Sequence, residues 1–156
     1  AYAAANPDAP WILGRGWNQE LWPDKRFPTA ADLDAVVPDR PVWLERVDGH
    51  ASVGNTAALK AAGITAAIKD PAGGKIERDA AGQPTGLFVD TAANLVQRVV
   101  PSPTPAQREQ ALLAAQKLLL ENGLTTVADM GTTADEWAAM QQLYGDGRLQ
   151  VRVISY

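Results

Sequence analysis

With 156 residues and a mass of 16.6 kDa, the chain has material for one domain or one and a half and can bury a real core. Hydrophobic residues make up 46% and charged residues 21%, which excludes disorder and collagen-like repeats, and no apolar run is long enough to cross a bilayer. The 14 basic and 18 acidic residues give a formal net charge of −4, and the basic ones are scattered, which argues against a nucleic-acid groove or an anionic membrane surface.

The chain opens Ala1-Tyr2-Ala3-Ala4-Ala5, with neither an initiator Met nor the charged and apolar regions of a signal peptide. Prolines at 7, 10, 23, 28, 38 and 41 break up the first third, so short strands joined by turns are expected there. Residues 11–14 and 41–47 are the best strand candidates, the second alternating Val42, Leu44 and Arg46 against Trp43, Glu45 and Val47. Between them Thr29 can cap a short helix over Ala30 to Val36. A second helix follows from Asn55 to Ala62, with Gly63 as its stop. Gly-rich turns on either side of residues 75–78 predict a hairpin at the edge of a small sheet rather than a phosphate loop, because the glycines do not join a strand directly to a helix. Leu87-Phe88-Val89 then leads into a helix through Ala92, Ala93, Leu95 and Val96.

Pro101-Ser102-Pro103-Thr104-Pro105 is a stiff connector and the best domain boundary, separating residues 1–100 from residues 101–156. Beyond it Thr104, Pro105 and Gln107 open a helix that stops near Gly123, and residues 125–129 form a short strand. Thr133 with Glu136 opens another helix to Gly145, and a last strand begins near Leu149. Helix, strand, helix, strand is the pattern of a parallel α/β unit. Because the chain ends inside an alternating run, Val151 to Tyr156, it is expected to be a piece of a larger protein.

The chemistry available is narrow. There is no cysteine and a single histidine, His50, so the chain on its own has almost no material for a hydrolytic zinc site, which usually draws on two or three histidines, or for a Ser-His-Asp triad, which needs one as its base. Arg46-Val47-Asp48-Gly49-His50 gathers ionisable groups at a strand end, next to the expected helix start at Asn55. Asp48 beside His50 reads as a turn with a hydrogen-bonded histidine at a helix entrance or, alternatively, as an acid–base pair. Asp129, at the C-terminal end of a strand, is placed either for ligand or acid–base work or to cap the next segment. Trp11, Trp17, Trp22 and Trp43 can wall an apolar pocket or fill a core.

Several blocks in one order resemble the amidohydrolase-3 branch of the metal-dependent amidohydrolases: residues 11–18, Leu33-Asp34 with residues 38–42, residues 46–50 with Asn55, Ala58-Leu59 and residues 62–64, then residues 70–76, 82–87 and 123–129. The resemblance implies an α+β architecture, with residues 1–100 as a small inserted α+β domain and residues 101–156 as a partial parallel α/β segment of a TIM barrel. It further implies a metal-dependent hydrolase of amide or other non-peptide C–N bonds, whose divalent metal, zinc in the first instance, is bound outside this chain; no metal site and no complete catalytic set are expected within it. Trp17, Asp48, His50, Asn55 and Asp129 are then the substrate-facing candidates. The family often has Glu where this chain has Asp90, whose shorter side chain retracts the carboxylate. The expected partner is a small amide-type substrate, with self-association of the chain through its open strand edges; cytoplasm stands only as the default location. The rival reading is a non-catalytic α+β module that binds a ligand or assembles through its tryptophan-rich face.

Overall fold

Proline and glycine leave room only for short elements in the first hundred residues, and the computed structural model, which describes residues 1–156, shows five strands there in one mixed sheet. These are β1 (Ile12–Trp17), β2 (Val42–Arg46), β3 (Ala51–Gly54), β4 (Gly74–Arg78) and β5 (Pro84–Asp90), in the spatial order β1-β2-β3-β5-β4. β1 and β2 run parallel, and every other neighbouring pair is antiparallel. The expected β4–β5 hairpin is present, with β4 at the sheet edge. The helices of this part are α1 (Tyr2–Ala5), α2 (Ala30–Asp34), α3 (Thr56–Ala61) and α4 (Asn94–Gln97), the last preceded by a 3-10 turn over Thr91–Ala93.

β3 is the element that periodicity does not reveal. It holds only four residues, all of them buried, so no polar face alternates with an apolar one. The strand register divides the side chains of the sheet between two faces. On one face Trp43, Ile76 and Phe88 pack beneath α3 and the 91–97 segment, with the Trp43 and Phe88 rings 5.5 Å apart. On the other, Ala51, Val53 and Leu87 are buried with Leu44, Trp17 and Leu33 of α2 packed against them, whereas Val89, farther along β5 on the same face, is only half-buried. Gly86, at φ +97°, is what lets α2 approach β5: a Cβ there would lie 2.5 Å from the Gly54 carbonyl and 2.8 Å from the Ala30 nitrogen.

Local signals set the boundaries of the second set of elements, α5 (Pro105–Glu121), β6 (Thr126–Asp129), α6 (Ala134–Gly145) and β7 (Arg152–Ser155). Both predicted capping boxes form: Thr104 with Gln107, and Thr133 with Glu136. β6 and β7 are parallel neighbours, Thr126 opposite Arg152 and Asp129 opposite Ser155. β7 starts three residues later than the pattern suggests, because the Leu149 N–H still bonds the Leu143 carbonyl at the end of α6 (3.0 Å). Gln116 is buried on α5 and spends its amide on the same connection, donating to the Arg148 carbonyl (3.0 Å) and accepting from the Gln150 N–H (2.5 Å). The chain divides into two compact units, Ala1–Pro101 and Ser102–Tyr156, and no helix of either is long and apolar enough to cross a membrane.

Candidate functional site

The partly covered face of the first unit's sheet holds a cleft of about 590 Å³. Its floor is Ala51, Leu87 and Val89, with Phe27 on one wall and Arg46 and His50 among the polar groups of its lining. Arg46, Asp48 and His50 come from one turn, while Glu77 and Arg78 of β4 and Thr85 of β5 line the cleft from the neighbouring hairpin: β2 ends on Arg46, Gly49 turns the chain at φ +76°, and β3 begins just after His50. Arg46 is held on three sides. Its Nε donates to Gln19 Oε1 (2.9 Å), its Nη1 pairs with Asp48, and its guanidinium lies over the Trp17 ring, 5.9 Å from the centroid. Asp48 also accepts the His50 backbone N–H (3.1 Å). That bond first, and then the Arg46 charge, hold the Asp48 carboxyl below its ordinary range.

His50 gains a partner from forty residues away: its Nδ1 lies 2.7 Å from Asp90 Oδ1. The antiparallel register explains the meeting. Ala51 faces Val89, so the next step along the two strands brings His50 to Asp90, and the Asp90 N–H donates to the His50 carbonyl (2.8 Å). Asp90 has φ +49°, a conformation that non-glycine residues seldom adopt. Packing around Gly74 holds the chain there. A Cβ on Gly74 would sit 2.3 Å from the Ala92 nitrogen and 2.9 Å from the Val89 carbonyl, so the turn after β5 closes down on β4 only because Gly74 has no side chain.

Because a carboxylate only accepts, Nδ1 carries the proton and Nε2 is left without a partner in the chain. The hydrogen bond to Asp90, then the Asp90 and Asp48 charges, raise the His50 pKa above its ordinary value. In the neutral ring Nε2 is an acceptor, and in the protonated ring it is a donor.

Of the five expected site residues, the structure brings Asp48 and His50 together in the lining of the cleft. Trp17 is one layer behind. Its Nε1 donates to the Leu44 carbonyl (3.0 Å), and its ring stacks on Trp22 (6.2 Å) and meets Phe27 edge-on (6.1 Å), so it supports Arg46 and the aromatic wall. Asn55 is turned inward, contrary to expectation. It is 0% exposed, and its amide holds the start of β2, the cap of α3 and the 37–40 turn: Oδ1 accepts from Val42 and Ala58 (both 2.9 Å), and Nδ2 donates to the Val37 and Arg40 carbonyls (both 2.8 Å). Asp129 belongs to the second unit, where it accepts from the Thr132 hydroxyl (2.6 Å). The four tryptophans divide as well, Trp43 into the core with Trp11 packed against it, and Trp17 with Trp22 into the aromatic wall. Sequence reasoning missed Gln19 and Phe27 as members of the site and the pairing of Asp90 with His50. An isolated Gln, Phe or Asp carries no local signal, and only the strand pairing supplies one.

No three His, Asp or Glu side chains converge to hold a metal ion. His50 spends Nδ1 on Asp90 and Asp48 is paired with Arg46, so this cluster does not fit a metal ion.

A family model described as the amidohydrolase family, Amidohydro_3, matches residues 1–156. Protein LONG AFTER FAR-RED 3 of Arabidopsis thaliana is 43% identical over 140 residues, covering 86% of this chain and 24% of its own length. The Bacillus subtilis protein YtcJ, named an amidohydrolase, is 44% identical over 119 residues, 76% of this chain and 22% of its own. Among solved structures, an uncharacterized metal-dependent hydrolase from Pyrococcus furiosus superposes with a TM-score of 0.61 at 27% identity, over 95% of this chain and 29% of that one. The chain thus spans about a quarter of the length of the curated relatives it matches. Matched by the family model along its whole length, the chain belongs to the amidohydrolase family.

Proposed function

We propose that the protein of which these residues form part is a metal-dependent hydrolase of amide or other non-peptide C–N bonds, and that the cleft of the first unit shapes access of its substrate. The observation that carries the hydrolase reading is the family match over residues 1–156. The name of the Bacillus subtilis relative and the description of the Pyrococcus furiosus structure as a metal-dependent hydrolase support it. In this reading β6 and β7 are neighbouring strands of a (β/α)₈ barrel, and residues 1–100 are an inserted α+β domain. The divalent metal, zinc in the first instance, is held by residues outside this chain.

The chain's own contribution is to bind and orient. The apolar floor and Phe27 exclude water from part of the cleft, and the Arg46–Asp48 pair fixes the turn that carries His50. A cleft of this size suits a small molecule rather than a polymer.

The test compares the whole protein with the 156-residue chain in an assay of amine release from N-substituted amides, with elemental analysis of both. The expected result is zinc-restored hydrolysis by the whole protein and neither stoichiometric metal nor turnover in the 156-residue chain. Failure of the whole protein to hydrolyse any amide with any divalent metal overturns the hydrolase reading. Metal-dependent turnover by the 156-residue chain overturns the placement of the metal.

A further inference from the structure

We propose that His50 is a catalytic residue of the hydrolase, with Asp90 as its positioning residue: the Nε2–H gives a proton to the departing amine nitrogen of a substrate whose amine side lies in the cleft. The inference rests on the hydrolase reading and adds to it the group that protonates the leaving amine.

The surroundings of His50 have the parts that proton transfer needs. Nδ1 is held 2.7 Å from Asp90 Oδ1, and Nε2 is free in an exposed ring that lines the cleft. The Asp90 side chain makes no other hydrogen bond, so its carboxylate serves the ring alone. It does so from φ +49°, a conformation held by the close approach of β4 at Gly74. Backbone strain of this kind in a residue other than glycine collects at functional sites.

No other lining group is suited to the step. Arg46 and Arg78 never give up their protons. Asp48 accepts the His50 N–H and pairs with Arg46, and its lowered pKa leaves it without a proton to give. Glu77 is tied to Lys75 (2.8 Å). The charged groups around His50 are thus Asp48 and Arg46 of its own turn, Glu45 of β2 beside Gly49, Asp90 at the end of β5, and Glu77 and Arg78 of β4. The hydrogen bond to Asp90 and then the Asp90 and Asp48 charges favour the imidazolium, so the ring holds a transferable proton near neutrality.

In the step itself, water delivers its hydroxyl to the acyl carbon and releases a proton. As the C–N bond breaks, its electron pair passes to nitrogen, which takes the proton from Nε2. The ring is left neutral with Nδ1–H still on Asp90, and the proton released by water restores it. A weakly basic amine leaves without a donated proton; a strongly basic one does not.

The test is kinetic and uses the whole protein, with amides that share the acyl group it hydrolyses best and differ in the amine, from p-nitroaniline to benzylamine. His50→Gln is expected to lower kcat/KM for the benzylamide by about 100-fold or more, the usual worth of a general acid, and for the p-nitroanilide by less than about tenfold. A variant that merely folds less well loses activity on both alike. In the wild type, kcat/KM for the benzylamide is expected to fall as pH rises through the His50 pKa. Asp90→Asn is expected to move that alkaline limb to lower pH, together with the His50 titration read by NMR in the 156-residue chain, where it is the only imidazole.

Equal losses on the two amides, no loss on either, or an alkaline limb that Asp90→Asn leaves in place overturns the inference while the hydrolase reading stands. A whole protein that hydrolyses no amide with any divalent metal overturns both.

Discussion

Asn55→Ala should be among the most damaging single substitutions in the first unit, although the side chain touches no part of the cleft lining. Removing the amide leaves the Val42 and Ala58 N–H groups and the Val37 and Arg40 carbonyls without their side-chain partner. Loss of the α3 cap alone costs about 1 kcal/mol. The other three groups cost about 1 kcal/mol each at the low end for buried polar groups left unpaired, which brings the loss to about 4 kcal/mol. A domain of ordinary stability holds about 5–15 kcal/mol, so the variant should unfold at a far lower urea concentration. Urea titration read by tryptophan fluorescence is the assay, since Trp43 is 5% exposed in the adjoining core. Asn55→Asp keeps the acceptor atom, loses both donors and buries a charge, so it should not rescue. A loss below about 1 kcal/mol, no more than the cap itself, would refute the account of Asn55 as the pin of three segments.

Four further predictions follow from the same geometry. Asp90→Asn should bring the His50 titration, read by NMR on its only imidazole, down toward the ordinary value, and an unchanged midpoint would refute the dyad. The sign follows from the raised folded pKa: the stability contributed by the protonated pair is fully present below the ordinary His value and disappears as pH rises through the raised one. Gly74→Ala should cost about 1–3 kcal/mol in urea titration, because its Cβ meets backbone atoms that cannot turn aside, and should also lower the His50 pKa by displacing Asp90. Thr133→Ala should cost about 1 kcal/mol through the lost α6 cap. Thr133 holds the Glu136 pKa down, so the wild-type advantage is present above the ordinary Glu value and fades as pH falls through the lowered one, which urea titrations at several pH values will show. Finally, exposed Tyr144, Ile154 and Tyr156 and the two-stranded β6–β7 sheet should drive concentration-dependent self-association; a clean monomer at all concentrations in light scattering would refute this.

Much of the second unit was legible residue by residue. A helix cap is a contact between residues three apart, so Thr104 with Gln107 and Thr133 with Glu136 announce α5 and α6 without reference to the rest of the molecule. Alternation over residues 41–47 did the same for β2. β3 escaped because a four-residue strand buried throughout has no period to detect. The polar cluster was half visible: Asp48 and His50 are near neighbours in the chain and were singled out together. Asn55 stands at the helix start that the pattern predicts, but as a substrate-facing candidate it is misplaced, because the packing of β2 and the 37–40 turn points its amide inward.

The sequence by itself determined the chemical inventory, one imidazole and no thiol, the order of most elements and the family to which they belong. Tertiary structure alone decided which carboxylate serves that imidazole. Asp90 reaches His50 through the pairing of β3 with β5 and a turn that tightens only over Gly74, relations between residues far apart in the chain that local spacing does not encode.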